Sequence, residues 1–226
     1  MKTQILGVLA LSCFISVAAA QSSSPWREGD NYFPVEPAQP VSVPAGKIEV
    51  TEVFSYACPA CNQFYPIMNR LRKVLPANAV IDYVAAGFLP SEDWPVFQRA
   101  YYTAKALGIA AKTHDAMFDA VWKTGQLQTV DPRTERLRSP LPSIADVAQW
   151  YQQHTGIPTQ RFLTAASSFS VDLQVRQADA YVKACHVSET PTIIVNGRYR
   201  IDPSSAGGYD QMVEVVKWLV AKEMKR

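Results

Sequence analysis

Cys58 and Cys61 flank Pro59 and Ala60 in a C-x-x-C unit. Two thiols at that spacing can ligate a metal, close a small structural loop, or pass two electrons as a dithiol–disulfide couple. A zinc centre wants four ligands, and the chain has no second C-x-x-C; His114, His154 and His186 fall in unrelated contexts. A disulfide around a two-residue loop constrains little chain. Redox chemistry is therefore the favoured reading, with zinc and a purely structural bridge as the weaker ones. It depends on the thiolate, and an ordinary thiol of pKa about 8.5 is only a few per cent ionised at pH 7. A helix beginning at Cys58 would supply unpaired backbone N–H groups and the positive end of its dipole, both of which favour the thiolate. The disulfide has no thiolate to stabilise, so the effect favours the reduced form and makes the oxidised form the better oxidant. Pro59 suits the first helical turn, where its missing N–H costs nothing.

The elements around the pair fit that requirement. Lys47 to Ser55 is β-branched and aromatic and reads as a strand running directly into Cys58. Asn62 to Leu75 then carries Phe64, Ile67, Met68, Leu71 and Leu75 at helical spacing, with Pro66 inside it expected to kink it. Val80 to Ala85 reads as a second strand. Strand, helix, strand implies parallel pairing with a crossover. The next stretch reads as helices only: Pro95–Ala111, His114–Trp122, a helix from an N-cap at Ser143 to Gly156, Pro158–Ala166, and Val171–Cys185. The polar segment Asp131–Pro142, with Arg133, Arg136 and Arg138, reads as a solvated loop. Thr192–Val195 and Arg198–Ile201 flank Asn196-Gly197, a type I′ hairpin signal. Tyr209–Lys225 closes the chain as an amphipathic helix. The fold class expected is α/β with an inserted all-helical subdomain.

Of 226 residues, 22 are basic and 20 acidic, which leaves a net charge of +2 and no field directed at nucleic acid. Four cysteines exclude a disulfide-dense scaffold. Lys2, the apolar run Ile5–Ala20 and the small residues Ala18-Ala19-Ala20 read as a secretory signal peptide over residues 1–20. That run of 16 residues is short for a membrane span. Lipidation at Cys13 is a weaker reading, since little apolar sequence precedes it. Residues 21–46, rich in Ser and Pro, read as an extended leader. Export leaves Cys58, Cys61 and an odd Cys185, read as a buried small hydrophobe. In an oxidising compartment the close pair cycles between dithiol and disulfide. Trp94, Trp122, Trp150 and Trp218 read as core.

The segment E-V-F-S-Y-A-C-P-A-C on a strand-to-helix turn, with E-T-P-T-I-I-V-N-G-R-Y far downstream, resembles the thioredoxin superfamily, specifically the DsbA-like periplasmic disulfide oxidoreductases. The likeness extends from about Gly46 to the end. It implies a thioredoxin-like domain over 47–89 and 186–226, with a helical insertion and connecting helix over 90–185. It implies that Cys58 is the exposed nucleophile and Cys61 its buried partner. Pro191 would then be a cis-proline after Thr190, offering a backbone edge to extended substrates, and Glu52 a buried acid near the cysteines, its pKa raised by burial. The family's best-known members have C-P-H-C. Ala60 stands where they have histidine and can neither donate a hydrogen bond nor carry charge, so the thiolate is expected to be less favoured here and the protein a weaker oxidant.

The implied activity is donation of the Cys58–Cys61 disulfide to newly exported, unfolded or extended polypeptides in the periplasm. No cofactor or metal is called for, a DsbB-like membrane quinone reductase is the implied reoxidant, and the protein is expected to be a monomer. A disulfide isomerase or reductase is one alternative. Such isomerases usually add a dimerisation domain, for which the 26-residue leader is too short. A polypeptide-binding chaperone with secondary redox activity is another.

Overall fold

The computed structural model describes residues 24–226. The expected signal peptide, Cys13 and the first residues of the leader lie outside the described residues. Five strands, β1 (Phe33–Pro34), β2 (Ile48–Phe54), β3 (Ala79–Ala85), β4 (Thr192–Val195) and β5 (Tyr199–Ile201), build one sheet in the order β1-β5-β4-β2-β3. The helices among the described residues are α1 (Pro59–Val74), α2 (Trp94–Ala106), α3 (Ala110–Trp122), α4 (Ile144–Thr155), α5 (Thr159–Ala166), α6 (Phe169–Ala184), α7 (Pro203–Ala206) and α8 (Tyr209–Glu223). Only α2 to α6 stand between β3 and β4, so the expected helical insertion is present.

β2 is buried at every position and lies at the heart of the sheet. It pairs in parallel with β3 and antiparallel with β4. Strand period 2 then sorts its side chains. Ile48 and Val50, with Ile193 and Val195 of β4, pack under α1 and α8. Val53 and Ile194 face the other way, onto Val182 and Cys185 at the end of α6. A third cluster joins Phe54, Tyr56 and both active-pair cysteines to Phe97 of α2, Phe118 of α3, Val147 of α4 and Phe162 of α5. The helical insertion therefore packs directly against the C-x-x-C turn.

Local signals account for several boundaries. α1 begins at Pro59, three residues before the run of helical spacing, and continues through Pro66. Ser143 and Asp146 form a full capping box on α4, which ends on Gly156 at φ 75°. α6 begins at Phe169 rather than Val171, because Ser168 caps it by accepting the Val171 N–H. Asn196 and Gly197 both have positive φ, 53° and 63°, and the Arg198 N–H returns to the Val195 carbonyl, as a type I′ turn requires.

The leader is more structured than its composition suggests. β1 pairs antiparallel with β5, and the Val35 and Gln39 N–H groups donate to the Arg198 and Gly197 carbonyls. Tyr32 sets its ring edge-on to Tyr199 at 5.6 Å. Two residues of strand carry no readable period, which is why the sequence pattern missed them.

Candidate active site

Cys58 is the N-cap of α1, with extended backbone angles, and its sulfur accepts the Cys61 N–H at 3.4 Å. Its thiol donates to the Thr190 carbonyl, also at 3.4 Å. The Cys58 pKa is lowered from the ordinary thiol value to about 6. The largest cause is a hydrogen bond from the Cys61 thiol; the backbone N–H groups of Cys61 and Ala60 add to it, and burial opposes it. Cys61 moves the other way. It is fully buried, and burial first, then its bond to Cys58 and the charges of Cys58 and Glu52, push its pKa well above the usual range. One thiol is thus held ready to ionise and its neighbour is held protonated. Both are thiols in this structure.

Cys58 is less accessible than the expected nucleophile, at 5% exposure. The Thr190–Pro191 segment lies across it, and the Thr190–Pro191 bond is cis as expected. The Glu36–Pro37 and Ser139–Pro140 bonds are cis as well, with no forewarning in the sequence.

Glu52 sits on β2, fully buried, and neither carboxylate oxygen has a hydrogen-bond partner. Burial, followed by the charge of Cys58, raises its pKa to about 8, against the opposing pull of Arg72. At neutral pH it therefore holds a proton beside the pair. Pro59 occupies the first turn of α1 as expected, and the Ala60 carbonyl accepts from the Tyr209 hydroxyl of α8 at 3.3 Å.

Sequence reasoning missed the aromatic wall behind the pair. Tyr56 and His114 share a buried hydrogen bond of 2.9 Å, and burial drops the His114 pKa to about 3, so its ring is neutral. Trp122 donates to the Tyr56 carbonyl at 2.8 Å. Tyr65 stacks on Phe118 and donates to Asp119. The hydrogen-bonded partners are 54 to 66 residues apart in sequence, so no local pattern announces them. Of the other tryptophans expected in the core, Trp94 and Trp150 are buried and Trp218 is half-buried. Cys185 is buried, with its pKa pushed up to about 11 by burial, in keeping with a small hydrophobe. Arg133, Arg136 and Arg138 are exposed on their loop. Among the described residues no group of three or more His, Cys, Asp or Glu side chains is placed to hold a metal. No helix among them is long and apolar enough to cross a membrane.

A dithiol on a strand-to-helix turn, backed by a cis-proline loop, defines a redox protein of thioredoxin-like fold. Comparison with known proteins narrows this. The family described as Thioredoxin matches residues 43–215. The thiol:disulfide interchange protein DsbA of Azotobacter vinelandii is 34% identical over 99% of this chain and 98% of its own length. Its Pseudomonas aeruginosa counterpart is 30% identical over 99% of this chain and 97% of its own. Among solved structures, DsbA of Xylella fastidiosa superposes with a TM-score of 0.76 at 28% identity, covering 88% of this chain and 97% of that one. The crystal structure of Pseudomonas aeruginosa DsbA gives 0.72 at 30%, covering 88% and 94%. This chain belongs to the DsbA family of thiol:disulfide interchange proteins, within the thioredoxin class.

Proposed function

We propose that the protein donates its Cys58–Cys61 disulfide to exported polypeptides during oxidative folding. The observation that carries the reading is the divergence of the two thiols, Cys58 lowered to about 6 and Cys61 raised. A substrate thiolate attacks the Cys58 sulfur, and the Cys58–Cys61 bond breaks. The electron pair goes to Cys61, which takes a proton, and Glu52 is the acid that supplies it. A second substrate thiolate then attacks the substrate sulfur of the mixed disulfide, and Cys58 departs as a thiolate. A low-pKa thiol is the better leaving group. Two electrons have moved from the substrate dithiol to the enzyme. In the oxidised enzyme Cys58 has no thiol proton to donate to the Thr190 carbonyl, so that backbone edge, beside Pro191, is free for an extended substrate.

A DsbB-like membrane quinone reductase is the reoxidant this reading requires, the periplasm its compartment, and a monomer its working form. The cysteines themselves carry the electrons, so no dissociable cofactor enters. The thioredoxin-like domain is assigned to residues 47–89 and 186–226, with 90–185 as helical insertion and connecting helix, after the leader 21–46. Ala60 leaves the Cys58 thiolate without the family histidine's support, which makes this member a milder oxidant than one with C-P-H-C.

The test is the reduction potential of the pair, equilibrated against glutathione and read by tryptophan fluorescence. A value well above thioredoxin's, about −270 mV, supports a disulfide donor. A thioredoxin-like value overturns it in favour of a reductase.

A further inference from the structure

β3 is an edge strand: among the described residues it pairs with β2 and with no other strand. The Ile48 N–H donates to the Asn78 carbonyl, and the Ala86 N–H to the Phe54 carbonyl. In a parallel ladder this parity turns the backbone groups of residues 80, 82 and 84 toward β2 and those of 79, 81, 83 and 85 outward. Side chains of α2 cover one end of the outward row. Ala85 donates to the Tyr102 hydroxyl and accepts from Gln98, and the Tyr83 carbonyl accepts from Tyr101. Among the described residues the row is left open from the Ala79 carbonyl, through both groups of Ile81, to the Tyr83 N–H. That open stretch lies along a groove of about 670 Å³ between α1, α2 and α3.

The groove also carries a cation suited to an acidic ligand. Arg72 of α1 lines the groove, donates to the Tyr83 hydroxyl at 2.7 Å and forms no ion pair among the described residues, while Asp115 of α3, a carboxylate lining the same groove, accepts from Asn69 at 2.6 Å. Lys105 pairs with Asp82 at 3.2 Å beside it, both side chains about a third to a half exposed, a pair weak enough for an incoming strand to displace. Open strand edges are recognised by extended chains through main-chain hydrogen bonds. We propose that this groove binds an extended polypeptide segment bearing an acidic side chain, as a sixth strand of about five residues on β3. Arg72 pairs with the acid. The inference rests on the reading of the protein as a catalyst for unfolded chains: main-chain pairing holds such a chain with little regard for its sequence, away from Cys58.

The test titrates the oxidised full-length protein with reduced, S-carboxymethylated ribonuclease A, an unfolded and acidic probe, and follows backbone amides by NMR. The expected result is a saturating shift of the Ile81 and Tyr83 amides. Ile81→Pro deletes an N–H that points away from β2, at the outward position where an edge strand accepts proline. It should weaken binding about tenfold, as loss of one hydrogen bond does. Should that variant fail to fold, Arg72→Glu tests the same site without altering the backbone and should weaken binding as much. Shifts confined to residues 188–192, with Ile81 and Tyr83 unmoved, would overturn the proposal. So would Ile81 shifts that grow with protein concentration alone, which would mean that two copies pair edge to edge. The probe has no thiol, so these outcomes stand whatever the reduction potential of the cysteine pair proves to be.

Discussion

Cys58 owes its low pKa first to its partner's thiol, and that dependence can be separated from the backbone's contribution. Cys61→Ala removes the thiol donor and leaves the N–H groups of residues 60 and 61 in place. The Cys58 pKa should climb from about 6 toward the ordinary thiol value. Cys61→Ser restores an O–H donor and should hold it lower. Thiolate absorbance followed against pH distinguishes the two, and equal pKa values in both variants would assign the effect to the helix terminus instead. Glu52 gives a second test through stability. Its folded pKa of about 8 lies above its ordinary value of 4.5. Between those values the native state holds a proton that the unfolded state has lost, so stability falls as pH rises through that window. At about 1.4 kcal/mol per pH unit, the loss amounts to several kcal/mol. In the oxidised protein, where burial without the Cys58 charge raises the carboxyl, denaturant titrations should show wild-type stability declining relative to Glu52→Gln as pH rises from about 5; taking the difference cancels the opposite slope contributed by neutral, buried His114. A difference that does not change with pH would mean the carboxyl is already ionised.

Elements differ in how much of themselves they write into sequence. α1, α4, α8 and the β4–β5 hairpin were legible because each rests on a local rule: a proline in the first turn, a capping box, an apolar stripe, an Asn-Gly turn. β1 was not, since pairing with β5 is a long-range event that two residues cannot advertise. Cys58, Cys61, Pro191 and the burial of Glu52 could be anticipated from motif and strand position, but Tyr56, His114 and Tyr209 could not, because chain folding alone brings them to the turn. The hairpin shows local and long-range rules meeting at one residue. Gly197 has φ +63°, and a Cβ there would stand 2.1 Å from the Gln39 carbonyl oxygen, which belongs to the leader segment docked on the turn. Gly197→Ala should cost roughly 1–3 kcal/mol from backbone strain alone, with the clash adding to it and loosening residues 35–39. Thermal unfolding and amide exchange at Val35 and Gln39 are the measurements; an unchanged melting temperature would mean that the leader contributes nothing to the hairpin.

At the scale of the whole molecule, the third hydrophobic cluster decides how the parts behave together. It holds Cys58 and Cys61 at one end and Phe162 of α5 at the other. The helical insertion therefore shares its core with the C-x-x-C turn and does not bury its apolar surface without it, whereas the sheet keeps a second core under α1 and α8. Such a molecule should unfold in one transition, with the far-ultraviolet signal of the helices and the NMR amide signals of β2, buried at every position, changing together. Phe162 is fully buried and stacked on Tyr151 at 4.6 Å, so Phe162→Ala should cost about 3–5 kcal/mol. The location of that cost matters more than its size. With a shared core, the variant lowers both signals equally and makes Cys61 more reactive to alkylation, although residue 162 lies in a different helix. If the insertion melts first while the β2 amide signals and Cys61 protection persist, the sheet and α1 must hold the redox turn by themselves, and the helices serve only to shape what approaches it.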